Sequence, residues 1–386
     1  MRILTHDFAI DRRMLLAGSL SLMASPALAQ NTGVIEAPIQ VGDHRVAIQV
    51  SLNGRGPYSF VIDTGAELSG MRSSLAQELG LRPARTTRLA GGSFQVYAVE
   101  ELVLGGVVRQ SGAAFFGLEQ AEALGGDGLL SAGIITSVDS ELLHGQGLWR
   151  VHPSGLTLME GYAPVQARLE APRVQGLALR PHGPVQVGSA EIDAVWDTGG
   201  PHALSLSPNI AEQLGLMGPD VAFAPVPSRT IRGRPSVPSR LLTAPPIRIG
   251  DQTFTGGRVL IRLDDPFPNT AILGFPVLRG LDLAIADRGQ RFGIRRNGLE
   301  MINLPYGFSG LWLDEARSGV RVSVVGSRSP GAEAGLREGD IVTNLGNLAS
   351  ALRAVRGPVG ATVDIAFVRN GQPQSTKLTL RDFLAG

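Results

Sequence analysis

The sequence predicts a mainly β protein built from two duplicated halves, followed by a small α+β module. Three observations carry that prediction. An apolar run delivers one Asp onto a Gly turn twice, as Phe60-Val61-Ile62-Asp63-Thr64-Gly65-Ala66 and as Ala194-Val195-Trp196-Asp197-Thr198-Gly199-Gly200. Each turn is followed by the same helix-like stretch, SSLAQELGL ending at Leu81 and SPNIAEQLGL ending at Leu216, which marks an internal duplication. Finally, 50 Gly and 25 Pro in 386 residues suit many short strands and tight turns better than long helices.

The length allows two or three domains, and 43% hydrophobic residues can fill their cores. The chain has 0 Cys, which excludes a disulfide framework, a thiol nucleophile and a Cys-based metal site. A formal net charge of +1 gives no footprint for nucleic acid. The 6 His are scattered without metal-ligand spacing, and no phosphate loop, dinucleotide fingerprint or Gly-x-Ser-x-Gly elbow occurs. No metal or other cofactor is expected.

Residues 1–29 read as an export signal. Arg12-Arg13 precede an apolar, small-residue run, and Ala27-Leu28-Ala29 fits a small-x-small cleavage pattern that leaves Gln30 first. The arginine pair suits a twin-arginine signal as well as an ordinary secretory one. The run is shorter than the ~20 residues of a span, so no membrane span is expected in the mature chain. The expected location is the periplasm or outside the cell.

The first half, 30–162, opens with an alternating strand from Arg45 to Leu52. Asn53-Gly54 supplies a tight hairpin turn, and the return strand Tyr58 to Ile62 ends at Asp63. Ser73 or Ser74 caps a short helix that Gly80 stops. Ala90-Gly91-Gly92-Ser93 lies between two strand-like runs, and Gly105-Gly106 turns another hairpin. The second half, 163–303, repeats the pattern. Gly188-Ser189 is its first turn, Ser207 caps a helix with Pro208 as first residue, and Gly250-Asp251 is a later turn. Ala271-Ile272-Leu273-Gly274-Phe275 follows, and Leu281 to Ile294 closes as a hairpin turning at Asp287 to Gln290.

Two Asp-Thr-Gly turns on duplicated halves resemble a bilobal aspartic protease of the retropepsin-like kind, across about Ile39 to Ile302. The resemblance implies two β-barrel lobes related by a pseudo-twofold axis, with Asp63 and Asp197 as the catalytic pair. It implies that Thr64 and Thr198 bond across to the opposite turn, that Gly65 and Gly199 let the backbone pass close, and that Gly274 lies beside the catalytic turn. The corresponding Gly of the first half is Ser131, a departure from the family pattern. It also implies that Gly91 and Gly92, with Gly233 as their counterpart, belong to hairpins covering an extended peptide.

Peptide hydrolysis needs an activated water and a protonated leaving nitrogen. An ionised carboxylate can act as base while a protonated neighbour acts as acid. Two carboxyls within about 3 Å cannot both ionise cheaply and share a proton. Ala66 and Gly200 carry no hydroxyl to donate to the charged form. Activity is therefore expected to reach weakly acidic or near-neutral pH.

After the Gly-rich boundary at Pro305 to Gly310, residues 304–386 resemble a bacterial PDZ module. Ser329 to Val342, with its Ala-Gly-Leu-Arg-Glu-Gly-Asp core, is the stronger match. Leu348 to Val355 reads as a helix, and Asn370-Gly371 turns a final hairpin. The resemblance implies that Gly310, Leu311, Trp312 and Leu313 bind the C-terminus of a protein partner. The expectation is an exported, monomeric aspartic endopeptidase acting on polypeptides. A non-catalytic peptide-binding protein of the same fold remains the alternative.

Overall fold

The computed structural model describes residues 33–89, 92–119, 125–157, 160–171, 177–227, 238–263, 265 and 269–385. The expected signal peptide, Gly91 and Gly233 lie outside these. Two compact units emerge: residues up to Gly183 with Val195–Gly199 and Leu278–Glu300, and Pro184–Ala194 with Gly200–Val277 and Met301–Gly386. The turn carrying the second Asp thus belongs to the first unit, and the C-terminal module to the second.

The first half runs through β1 (Ile35–Val41), β2 (Val46–Leu52), β3 (Arg55–Ile62), β4 (Gly70–Arg72), β5 (Pro83–Leu89), β6 (Gly92–Leu104), β7 (Val108–Leu118) and β8 (Gly128–Leu130). Then come β9 (Ser140–Leu143), β10 (Leu148–Val151), β11 (Ala163–Val165) and β12 (Arg168–Glu170). The pairings β2-β3-β8-β4-β7-β6, with β6 returning to β2, close a six-stranded barrel. Closure leaves no free edge within the ring. The alternation along β2 holds: Val46, Ile48, Val50 and Leu52 are buried. Phe60 meets Phe115 edge-on across the core, ring centroids 5.8 Å apart. Asn53 and Gly54 have φ of 49° and 74°, as a tight hairpin turn requires.

The second half contains β13 (Arg180–Val187), β14 (Ala190–Asp197), β15 (Leu204–Leu206), β16 (Ala224–Pro227), β17 (Pro238–Thr243), β18 (Ile247–Ile249), β19 (Gln252–Phe254), β20 (Arg258–Ile261) and β21 (Ala271–Gly274). Its order β16-β17-β20-β15-β21 repeats β5-β6-β7-β4-β8 strand for strand. The long β6 of the first half is split here into β17 and β18 at Ala244-Pro245-Pro246. Proline has no N–H to give the ladder, so two in succession interrupt it.

The duplicated helices, Ser73–Glu78 and Pro208–Gln213, end identically. Gly80 and Gly215 adopt φ of 72° and 71°, and the next amides, Leu81 and Leu216, donate to the carbonyls of Ala76 and Ala211 at 2.9 and 2.8 Å. Their starts differ. Ser207 is the N-cap before Pro208, whereas the first helix has Arg72 as N-cap, and Ser73 is already helical. Arg72 makes no side-chain cap and pairs instead with Asp127, at 2.6 Å, a long-range tie.

β22 (Leu281–Ala286) and β23 (Arg291–Arg296) form the closing hairpin, which joins β11 on one side and β9 and β10 on the other. This sheet carries a buried polar cluster. Glu141 accepts from His152 and Tyr162, both at 2.9 Å, and pairs with Arg150 at 3.3 Å. Burial alone would raise the Glu141 carboxyl, but His152, Tyr162 and Arg150 outweigh it and bring it to about 2.

The C-terminal module is a five-stranded sheet of β24 (Leu311–Ala316), β25 (Gly319–Val325), β26 (Ile341–Val342), β27 (Thr362–Arg369) and β28 (Gln372–Thr379) in that order. Helices Pro330–Glu333 and Leu348–Val355 accompany it. Ser329 and Asn347 cap them through their side chains. Leu311, Leu313, Val322, Ile365, Phe367 and Leu378 build its own core.

Candidate active site

β3 and β14 each end by turning out one carboxyl. Within the first unit Asp63 and Asp197 meet and share a hydrogen bond. Each turn folds back on its own Asp: the Gly65 amide donates to Asp63 Oδ1 at 3.1 Å and the Gly199 amide to Asp197 Oδ1 at 2.8 Å.

The two Thr hydroxyls lock the turns reciprocally. Thr64 Oγ1 accepts from the Thr198 amide at 3.0 Å and donates to the Trp196 carbonyl at 2.6 Å. Thr198 Oγ1 accepts from the Thr64 amide at 3.1 Å and donates to the Ile62 carbonyl at 2.6 Å. Four buried backbone groups are thereby satisfied by two side chains. Hydroxyls suit this because each both donates and accepts.

The two glycines are sterically required. A Cβ on Gly65 would lie 2.3 Å from Asp197 Cγ, and one on Gly199 would lie 2.6 Å from Asp63 Cγ. Each carboxyl rests against the opposite turn, and any side chain there would push it away.

Burial raises the Asp63 carboxyl well above its ordinary range, and the Asp197 charge and shared hydrogen bond push it the same way. The Ala66 and Gly65 amides pull weakly against them. Asp63 nevertheless keeps part of its surface open. The pair is therefore biased toward sharing a proton in a buried place that still has open surface, the condition for one acid and one base to coexist.

Supporting residues differ between the halves. Gly274 packs on the backbone after the second turn: a Cβ there would lie 2.0 Å from the His202 carbonyl oxygen and 2.7 Å from that of Gly200. Its amide donates to Ala203 O at 3.1 Å, and the next amide, Phe275, donates to Gly200 O at 2.7 Å. In the first half Ala132 N donates to Ala66 O at 2.9 Å, the same bond. Ser131 N, however, finds the hydroxyl of Ser69 at 3.0 Å, and the two serine hydroxyls lie 3.3 Å apart. A side-chain acceptor replaces a backbone one, and Ser131 fits where Gly274 could not be changed.

Sequence reading missed the role of Glu67 and the burial of Trp196. Glu67, four residues after Asp63, pairs with Arg180 at 3.2 Å, and its carbonyl accepts from Ala178 at 3.0 Å. Trp196 is buried under the second turn against Phe292, ring centroids 6.4 Å apart. A Glu close behind the turn was the only signal for the first, and its partner is 113 residues away (180 minus 67).

Of the residues expected in covering hairpins, Gly92 begins β6 opposite Leu89. In the module, Leu311 and Leu313 point into its core, and Ser309 Oγ accepts from the Leu311 amide at 3.3 Å. Trp312 is half-buried, its indole N–H donating to Asp314 at 3.2 Å. β24 is the edge strand of its sheet.

No curated protein matches the chain. Residues 48–134 match the family model described as Aspartyl protease, and this stretch holds Asp63, Thr64 and Gly65 together with most of the first barrel. The match and the barrel support an aspartic-type hydrolase with peptidase activity.

Proposed function

We propose that the protein is an aspartic endopeptidase in which Asp63 and Asp197 activate one water between them. The observation that carries this is the pair of carboxyls meeting on Thr-locked turns. The ionised partner takes a proton from water as the water attacks the scissile carbonyl. The protonated partner gives its proton to the carbonyl oxygen, forming a gem-diol; the carboxyl that took the water proton then passes it to the leaving nitrogen as the C–N bond breaks, and the other carboxylate takes back a proton from the collapsing gem-diol. An extended polypeptide is the substrate, and its residues nearest the scissile bond are apolar, since the dyad works best with bulk water excluded. Gly92 belongs to a hairpin that covers it, and Gly91 and Gly233, which lie outside the described residues, are read with it as covering residues. The halves act as two pseudo-twofold lobes, a reading supported by the repeated strand order.

The protein works as a monomer, exported to the periplasm or beyond by its N-terminal signal. Its C-terminal module binds protein C-termini as a PDZ domain does, adding a strand at the free edge of β24. The sheet order, the edge position of β24 and the helix Leu348–Val355 packed near it support that reading. The reaction requires only water and two carboxyls.

The test is cleavage of a mixed peptide library by the mature protein from pH 3 to 8, with Asp197→Asn alongside. Cleavage by the parent alone, extending above pH 5, is the expected result. Absence of cleavage by folded parent protein would turn the reading toward a non-catalytic peptide binder.

A further inference from the structure

The strands that deliver the two carboxyls differ in the residue just before each Asp. Ile62 precedes Asp63, and Trp196 precedes Asp197. Both are 1% exposed, and the carbonyl of each accepts the Thr hydroxyl of the opposite turn at 2.6 Å. Consecutive residues of a strand face opposite sides, so the Trp196 ring anchors the end of β14 on the side away from the Asp197 carboxyl. An indole is large and rigid, and what it rests on therefore fixes the strand end closely.

The ring has a shaped seat, all of it within the first unit. It meets Phe292 of β23 edge-on, centroids 6.4 Å apart, and Phe292 pairs in register with Val165 of β11. Gly183 of β13 leaves the space that the ring fills. A Cβ on Gly183 would lie 3.1 Å from Trp196 Cζ2, 3.2 Å from its Cε2 and 3.2 Å from Ala167 Cβ. The Gly183 backbone is not in the left-handed region, so room for the ring, and not backbone conformation, is the reason for glycine here. Trp196 Nε1 is buried and has no hydrogen-bond partner among the described residues. The ring is thus placed by shape alone. A buried donor left unmet costs stability, so phenylalanine would serve better if stability were the ring's only task.

We propose that Trp196 is a positioning residue: seated against Gly183, Ala167 and Phe292, its ring fixes where β14 delivers the Asp197 carboxyl against Asp63. The effect on rate rests on the protease reading above. The ring acts through its own backbone, which carries the Thr64 hydrogen bond and leads into Asp197, without touching the reacting atoms.

The test compares the full-length parent with Trp196→Leu, Trp196→Phe, Gly183→Ala and the double variant Gly183→Ala/Trp196→Phe. One readout is kcat and KM against pH on a library-derived peptide. The other needs no activity: a carboxyl-carbon NMR titration of Asp-labelled protein, with Asp63→Asn to assign the pair. Trp196→Leu should lose kcat at least tenfold with KM within twofold of the parent. The upper limb of its pH profile and the raised carboxyl titration should both move down by about half a pH unit or more, because a displaced Asp197 holds the Asp63 proton less strongly. Trp196→Phe keeps a ring in the seat and should keep kcat within threefold. Gly183→Ala should lower kcat several-fold in the parent but less than twofold in the Trp196→Phe background, where the outer indole atoms that the methyl would meet are gone. Folded Trp196→Leu with the parent's titration would overturn the proposal, as would a Gly183→Ala effect of equal size in both backgrounds. If Trp196→Leu does not fold, the Gly183 and Trp196→Phe cycle decides by itself. A parent that cleaves nothing removes the protease reading, while the titration still decides whether the ring sets the carboxyl pair.

Discussion

Replacing Thr64 by Val tests the reciprocal lock most directly. Valine keeps the shape and removes the hydroxyl. The Thr198 amide and the Trp196 carbonyl then lose their partner, and both residues are at most 1% exposed. An unmet buried polar group costs about 1–3 kcal/mol, so two cost about 2–6 kcal/mol. The methyl that replaces the hydroxyl returns up to ~0.8 kcal/mol. The net expectation is a loss of about 3 kcal/mol, or ~6–12 °C in melting temperature for a unit of this size. Urea unfolding followed by tryptophan emission reads it, because Trp196 lies directly under the lock. Thr64→Ser keeps the hydroxyl and should cost about 1 kcal/mol or less. Hydrolysis by Thr64→Val should fall by more than tenfold, since the lock sets where Asp197 sits. If Thr64→Val unfolds within ~1 kcal/mol of the parent while Thr64→Ser does the same, the lock is dispensable and the reasoning fails.

Asp63→Asn should abolish hydrolysis yet stabilise the protein at neutral pH. The folded state holds the Asp63 proton more tightly than the unfolded chain, so parent stability declines as pH rises from the ordinary carboxyl range through the raised one; the variant should lack that decline in a pH series of denaturant melts. Glu141→Gln should act in the opposite sense. Its folded carboxyl titrates near 2, so its contribution of about 3 kcal/mol is complete above the ordinary Glu range and disappears as pH falls through 2; parent and variant melts should converge in acid, and a constant gap would exclude the linkage. Gly65→Ala places a methyl against the Asp197 carboxyl and should reduce kcat by a hundredfold or more while the fold survives, as read by circular dichroism beside the kinetics.

The local elements were legible because their signals are local. The Asn53-Gly54 turn, the Gly80 and Gly215 helix ends, the Leu348–Val355 helix and the Asp287 turn all follow from residues within a few positions of one another. The duplicated turn also named Asp63 and Asp197, because a repeat announces itself in one dimension. Where the signal was long-range, reading along the chain stopped. Arg72, the helix N-cap, is tied to Asp127 far along the chain, and Ser131 was accommodated because a hydroxyl at Ser69 stood in for a carbonyl.

By itself, then, the sequence determined several strands and hairpin turns, the repeat, and the two carboxyls with their Thr-Gly neighbours. Only the tertiary structure decided that the carboxyls touch, that each Thr serves the opposite turn, that Glu67 pairs with Arg180, and that the Leu384 carbonyl accepts from Thr243 some 140 positions earlier. The physical reason is the range of the interactions. Turn and helix preferences come from sterics within one or two residues, while proton sharing, burial and packing depend on which distant segments meet.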